Sequence, residues 1–302
     1  MNNSVPNFTH LRIADRGLLH KMLWKFQPVT SELTFTNLFI WREHYGTRWA
    51  QYKDWLLFIC EPADSAPFAL PPIGPSPRLE PALAILDWLA KEKKLPNPSI
   101  ERVDKALADE LQGQNQLSIA PAREHFDYVY LTQELIKLEG RRFHAKKNHV
   151  NKFTSTYKFI YEPLREEHAE QCLQMMNQWC TLKKCNEDMG LSGEWAAIKE
   201  ALENFQALEI QGGVLRINGK VEAFSLGEML NENTAVIHIE KANPDFEGIY
   251  AAMNQQFCEH AWNATSHINR EQDMGIPGLR QAKMSYNPEH FEEKFRGTTL
   301  KL

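Results

Sequence analysis

The stretch Gly212-Gly213-Val214-Leu215-Arg216-Ile217-Asn218-Gly219-Lys220-Val221-Glu222-Ala223-Phe224-Ser225-Leu226-Gly227-Glu228 decides the fold. Two apolar runs, 208–217 and 221–228, flank Asn218-Gly219, a pair that tolerates positive φ at both positions, so a tight antiparallel hairpin is predicted. Residues 234–241 predict a third strand. Upstream, residues 157–161 read as a strand, and helical spacing predicts two helices. The first, 166–182, turns Ala169, Cys172, Leu173, Met176 and Trp179 inward; the second, 194–205, does so with Trp195, Ile198, Ala201, Leu202 and Phe205. Downstream come a helix at about 248–262, a strand at 267–270 and a last helix at 277–286. The order is strand, two helices, three antiparallel strands, helix, strand, helix.

The first half follows that order loosely. Residues 8–14 predict a strand, 16–26 a helix, and 31–45 a second helix with Phe35, Leu38, Phe39 and Arg42 on one face. Residues 49–51 and 55–60 predict a hairpin around Lys53-Asp54, and 68–70 another short strand. The turn-rich Pro71-Pro72-Ile73-Gly74-Pro75-Ser76-Pro77 then precedes a helix with the stripe Leu83, Leu86, Trp88 and Leu89. Short signals continue to 128–131. Two α/β domains, 1–130 and 131–302, are expected, which suits 302 residues at about 100 to 200 per domain.

Composition narrows the class. Hydrophobic residues make up 43% and charged residues 24%, enough apolar material for sizeable cores. With 34 Lys+Arg against 39 Asp+Glu the net charge is −5, so a nucleic acid or anionic surface would have to be held by a local patch. No run reaches the roughly 18 to 20 apolar residues of a spanning helix, and residues 1–10 carry no secretory signal, so a cytoplasmic location is expected. Five cysteines without a C-x-x-C fit reduced thiols and argue against a structural metal site.

The element order is that of the GNAT acyltransferase fold. Further segments make the likeness specific: Arg142-Phe143-His144-Ala145-Lys146-Lys147-Asn148-His149-Val150-Asn151-Lys152-Phe153, Gly212-Gly213, Ala223-Phe224-Ser225-Leu226-Gly227-Glu228, His238-Ile239-Glu240-Lys241-Ala242 and Ile268-Asn269-Arg270-Glu271-Gln272-Asp273-Met274-Gly275-Ile276-Pro277-Gly278-Leu279-Arg280. With these, the chain from about residue 34 to 295 resembles the family named after the C-terminal domain of phosphatidylglycerol lysyltransferase. The resemblance implies two tandem GNAT-like acyl-CoA N-acyltransferase folds, with mixed, mostly antiparallel sheets flanked by helices. It also implies transfer of an acyl or aminoacyl group to an amine or hydroxyl acceptor.

Four clusters could carry that chemistry. On strand 234–241, period 2 puts Val236, His238 and Glu240 on one face. In a GNAT-like fold this strand lines the acceptor pocket, so His238 and Glu240 are candidate proton acceptors for an attacking amine or hydroxyl. A solvent-facing ion pair, such as Glu240 with Lys241, explains them equally well. After this strand, Ala242-Asn243-Pro244-Asp245-Phe246-Glu247-Gly248-Ile249-Tyr250 enters a helix, where acyl-CoA enzymes of the fold bind pyrophosphate at the helix N-terminus. Gly248 and Tyr250 are the cofactor candidates there. Asp245 and Glu247 would repel an anion, which favours aminoacyl-tRNA over acyl-CoA as donor, or no donor at all.

The third cluster is Asn269-Arg270-Glu271-Gln272-Asp273, more polar residues than a strand-to-helix turn requires, with Arg280 and Lys283 on the last helix; Asn269, Arg270, Asp273, Arg280 and Lys283 are read as holding an anionic part of a substrate. The spacing also allows a purely structural Asp273–Arg280 pair. By the GNAT resemblance, Tyr286 on that helix is a candidate acid for the leaving group. The fourth is the basic run Arg141, Arg142, Lys146, Lys147 and Lys152, suited to a phosphate partner such as tRNA or a lipid head group, or else a solvated helix paired with acidic neighbours. It contributes about +5, leaving the rest of the chain near −10. The competing functional reading is a non-catalytic binding or regulatory protein of the same fold that senses a small anionic ligand.

Overall fold

A computed structural model describes Val5 and residues 7–183 and 189–300. The chain divides into two units, Met1–Asp127 with Glu292–Leu302, and Tyr128–Phe291. Among the described residues the strands form one seven-stranded sheet in each.

In the first unit the sheet contains β1 (Thr9–His10), β2 (Arg48–Tyr52), β3 (Trp55–Cys60), β4 (Phe68–Ala69), β5 (Ser99–Asp104), β6 (Leu117–Pro121) and β14 (Lys294–Thr299), in the order β1-β2-β3-β4-β5-β14-β6. Its helices are α1 (Arg16–Phe26), α2 (Phe35–Ile40), α3 (Arg42–Tyr45), α4 (Leu79–Glu92) and α5 (Lys105–Leu111). Ala82, Ile85, Leu86 and Leu89 recur at helical spacing on α4 and are buried with Leu57, Ile59 and Ile100 of the sheet. The expected helix 31–45 is instead two short helices. Thr34 caps α2, its Oγ1 accepting from the Asn37 amide at 3.0 Å, and non-helical Trp41 separates the two. The expected strand 8–14 shrinks to β1, because a 3₁₀ turn at Ile13–Asp15 follows, held by the Asp15 carboxylate on the Arg12 amide.

β14 was not foreseen, and it corrects the expected division, in which everything after residue 130 belonged to the second domain. It lies antiparallel between β5 and β6, with Phe295 opposite both Val103 and Pro121. The physical reason is Lys294, fully buried, whose Nζ donates to Glu32 Oε2 at 2.6 Å and Asp127 Oδ1 at 2.7 Å. Cys60, Cys172 and Cys258 are free and buried, whereas Cys180 is disulfide-bonded, which departs from five reduced thiols.

In the second unit the sheet runs β13-β7-β12-β11-β10-β9-β8, built from β7 (Asp127–Leu131), β8 (Phe159–Pro163), β9 (Gln211–Ile217), β10 (Lys220–Met229), β11 (Thr234–Ala242), β12 (His267–Asn269) and β13 (His290–Glu292). Its helices are α6 (Thr132–Lys137), α7 (His144–Thr156), α8 (Ala169–Lys183), α9 (Met189–Glu203), α10 (Phe205–Leu208), α11 (Ile249–Ala261) and α12 (Pro277–Met284). The hairpin between β9 and β10 turns at Asn218 and Gly219, both at positive φ as their chemistry predicts. Buried Ile249, Met253 and Phe257 of α11 join Tyr128, Leu215, Ile237 and Ile268 in one core.

Two irregularities shape the centre of this sheet. β11 pairs in parallel with β12 only over Thr234, Ala235 and Val236, opposite His267, Ile268 and Asn269, then runs on to Ala242 beside β10 alone. The register between β10 and β11 also slips between Leu226 and Gly227, leaving His238 as the extra residue of a bulge, a device that re-aims a side chain. Gly227 permits it: a Cβ there would lie 2.5 Å from the Val236 carbonyl oxygen. Beyond Val236 the two strands part, and the chain after β12 faces the side chains of β11 across the gap.

Candidate active site

Glu240 on β11 faces that gap. Its Oε1 accepts from Arg270 Nη2 at 2.8 Å and its Oε2 from Asn254 Nδ2 of α11 at 3.1 Å. Of the ion pairs open to Glu240, the one with Lys241 does not form, since Lys241 bonds Glu194 at 2.7 Å; the pair that forms is with Arg270, directly after the neighbouring strand β12. The Arg270 guanidinium lies 4.7 Å from the Tyr286 ring centre and 5.8 Å from that of Tyr130, and the Lys146 ammonium 4.2 Å from the Tyr286 ring. Among the described residues, Arg270 Nη1 and Asn254 Oδ1 are buried without a hydrogen-bond partner. In a low-dielectric surrounding such groups are costly unless something completes them.

Burial and the neighbouring charges set the proton affinities here. Burial pushes the Tyr286 phenol far up, Arg270 opposing and Glu240 assisting, so the group stays protonated. Burial and then Arg270 depress the Lys146 amine below the ordinary lysine range, against the pull of Glu240. Arg270 is itself raised: burial is the largest influence and opposes its charge, but Glu240 together with Tyr286, Tyr130 and Cys258 outweighs it.

His238 sits in the same gap but in a different condition. Its Nδ1 lies 2.8 Å from Glu271 Oε1 and its Nε2 3.0 Å from Glu228 Oε1, with the side chain only 1% exposed. Burial disfavours the charge, yet the bonds to Glu228 and Glu271 outweigh it and raise the pKa to about 9. An imidazolium held at both nitrogens has no free lone pair, so this geometry fits a clamp between β10, β11 and the chain after β12 and not a base awaiting a proton.

The cluster expected to hold substrate is largely closed on itself. Asp273 accepts from Tyr128 at 2.6 Å, from Arg280 at 2.8 and 3.0 Å, and from the Gly275 amide at 2.8 Å. Burial raises its pKa, but those donors overcome it and hold the carboxyl at about 2. This is the structural Asp273–Arg280 pair the spacing allowed. Lys283 Nζ donates to the Arg270 and Glu271 carbonyls, and buried Asn269 accepts from the Glu271 amide at 2.8 Å. Tyr286 lies beyond α12, which ends at Met284 where the Ser285 and Tyr286 amides turn back onto Gln281 and Lys283. The expected helix to residue 286 is therefore two residues too long, and the turn is what tucks the ring beside Arg270.

The basic run splits. Lys146 enters the site, Arg142 pairs with Glu134, Lys152 with Glu247 at 2.6 Å, and Arg141 and Lys147 are exposed. Gly248 has φ +88, and a Cβ there would lie 2.4 Å from the His149 carbonyl oxygen, so packing of α11 on α7 accounts for it without a ligand. Tyr250 borders both Glu240 and Glu194, and burial raises its pKa. Among the described residues no group of His, Cys, Asp and Glu is arranged to hold a metal ion.

Sequence reasoning missed Asn254, Tyr130 and Glu228 as members of the site, and placed Glu271 in the polar cluster without a role. Asn254 carried a readable signal, a fully buried amide on the inward face of α11 among Ala, Met and Phe. Glu228 carried none, and nothing along the chain pointed Glu271 at His238, because both contacts depend on a bulge.

Comparisons with known proteins place the fold. A conserved protein of unknown function from Bacteroides thetaiotaomicron superposes with a TM-score of 0.90 at 33% identity, over 98% of this chain and 100% of that one. L-PGS from Bacillus licheniformis gives 0.64 at 13% identity, over 99% and 94%. A tandem GNAT protein from the clavulanic acid biosynthesis pathway gives 0.52 at 8%, over 98% of each chain. The last two show the fold alone: two GNAT-like units, each a mixed sheet flanked by helices. An uncharacterized protein of Mycoplasmoides gallisepticum is 24% identical over 180 residues, 56% of this chain and 54% of that protein, so the chain spans about half the length of that curated relative. The family model of the phosphatidylglycerol lysyltransferase C-terminal region matches residues 25–297. From that match and the fold it shares, the chain belongs to the phosphatidylglycerol lysyltransferase C-terminal family.

Proposed function

We propose that the second unit transfers an acyl or aminoacyl group to an amine or hydroxyl acceptor, with Glu240 as the proton acceptor. The observation that carries this reading is the Glu240 carboxylate, held where β11 and β12 part by Arg270 and Asn254, with Tyr286 and Lys146 alongside. As the acceptor's lone pair adds to the acyl carbon, its N–H or O–H proton passes to Glu240. Arg270 Nη1, a buried donor without a hydrogen-bond partner among the described residues, suits the oxygen on which negative charge develops. The bond to the carrier then breaks, and the departing oxygen or sulfur takes a proton from the Tyr286 phenol. Asp245 and Glu247 just before α11, together with the packing role of Gly248, favour aminoacyl-tRNA over acyl-CoA as donor.

The test is transfer from labelled aminoacyl-tRNA and from acetyl-CoA to a panel of amines and alcohols, with wild type and Glu240→Gln. The expected result is wild-type transfer that falls at least roughly a hundredfold in the variant. No wild-type transfer from either donor would sink the enzyme reading. A non-catalytic binding role is the second reading, favoured by the way Asp273, Arg280 and Lys283 close on protein groups. It expects a ligand-induced rise in Tm that Glu240→Gln leaves unchanged.

A further inference from the structure

Among the described residues the ladder between β11 and β12 ends at Val236 and Asn269. Arg270 and Glu271 follow directly, across the gap from Glu240. Their backbone is carried from the other side. The Arg270 amide donates to the Tyr128 carbonyl at 2.9 Å, the Tyr128 amide to the Glu271 carbonyl at 3.2 Å, and Lys283 Nζ to the carbonyls of both residues. These bonds tie the pair to β7 and α12. They do not set its distance from β11.

Two side-chain bonds span that distance. One is Arg270 to Glu240 at 2.8 Å, and it changes in the proposed reaction, because a Glu240 that takes the acceptor's proton loses the charge that strengthens the bond. The other joins His238 Nδ1 to Glu271 Oε1 at 2.8 Å, and His238 is anchored from behind by Nε2 to Glu228 Oε1 of β10 at 3.0 Å. The two bonds run side by side: His238 is two residues before Glu240 on β11, and Glu271 is next to Arg270. Glu271 is held ready for its bond at φ +56, a left-handed conformation that costs a glutamate energy, with its amide on Asn269 Oδ1 at 2.8 Å. An imidazolium that donates at both nitrogens has no lone pair for the reaction, and its bonds are directional, so they fix a distance as apolar contacts do not. We propose that His238 is a positioning residue for the transfer, holding Glu271, and through it Arg270, at a set distance from Glu240 while the Arg270–Glu240 bond changes. Its consequence for rate rests on the transfer reading; the placement of Arg270 does not.

The test uses the full chain and reads Arg270 in two ways. The first needs no substrate. Arg270 helps to hold the Lys146 amine below the ordinary lysine range, so competitive labelling with acetic anhydride should give a higher Lys146 midpoint in His238→Gln and Glu271→Ala than in wild type. The second is transfer with the donor and acceptor that wild type uses. There kcat should fall about tenfold to a hundredfold in both variants while KM changes little, the mark of lost positioning. Glu271→Gln, whose amide oxygen still accepts from Nδ1, should lie between Glu271→Ala and wild type on both readouts. Glu271 is 17% exposed against 1% for His238, so Glu271→Ala carries the test where melting curves show that His238→Gln does not fold. A folded Glu271→Ala with the wild-type Lys146 midpoint overturns the proposal, however far its Tm falls, and so does a wild-type kcat. Absence of transfer in wild type would sink the proposed function instead, and the labelling alone would then decide whether His238 places Arg270.

Discussion

Arg270 reaches Glu240 across 2.8 Å with both side chains nearly out of solvent, so each holds a charge that the other must balance. Removing one member of such a pair costs far more than the pair itself contributes. Arg270→Met should lower the unfolding free energy by about 3–5 kcal/mol, and adding Glu240→Gln should recover part of that loss. Urea unfolding of the two singles and the double reads the coupling; singles that simply add would show that the two residues do not act as a unit.

His238 makes stability depend on pH in a definite direction. Its folded pKa of about 9 lies above the ordinary 6.5, so the clamp by Glu228 and Glu271 contributes fully below 6.5 and is lost as the pH rises through about 9. The span corresponds to roughly 3 kcal/mol at most. Unfolding free energies measured across this window should fall for wild type relative to His238→Gln. A constant difference between the two proteins would contradict the clamped imidazolium.

Lys146 offers a chemical readout of the same site. Since burial and Arg270 lower its pKa, its amine should react with acetic anhydride at a lower pH than an ordinary lysine. Arg270→Met should move that titration upward. Peptide mapping after competitive labelling gives the midpoint, and no change in the variant would remove Arg270 as a cause.

In the first unit, Lys294 serves two buried carboxylates at once. Lys294→Met removes the cation that bridges Asp127 and Glu32, of which Glu32 keeps Arg102 at 3.1 Å, and a loss of about 3–5 kcal/mol is expected in denaturant unfolding. A loss below 1 kcal/mol would mean that β14 is held by its backbone pairing instead.

Gly248→Ala tests the packing explanation of that glycine. A Cβ 2.4 Å from the His149 carbonyl, on a residue at φ +88, should cost about 2 kcal/mol or more. An unchanged melting temperature would reopen a ligand role for the turn into α11.

The central elements of the second unit were legible because their causes are local. Asn218-Gly219 can turn only one way between two apolar runs, and α11 shows its buried face at helical spacing within its own residues. The candidate site was half legible. Glu240 and Arg270 were picked out by residue type and strand position, but nothing in their neighbourhood along the chain announces that they bond each other.

By itself, then, the sequence determined the order of elements, the hairpin at the centre of the second sheet and the segments that meet at its open end, all matters of turn chemistry and periodicity. Only the tertiary structure decided which charges are buried and with whom. Lys294 and Asp127 are 167 residues apart, so the return of the last strand to the first sheet rests on a contact that no local pattern encodes. His238 became a clamp because one slipped register aimed it at Glu228 and Glu271, and Lys146 left its basic run because α7 packs that one position against Tyr286. The physical reason is common to all three: a side chain's type sets what it can do, and its burial and its partners, fixed by distant parts of the chain, set what it does.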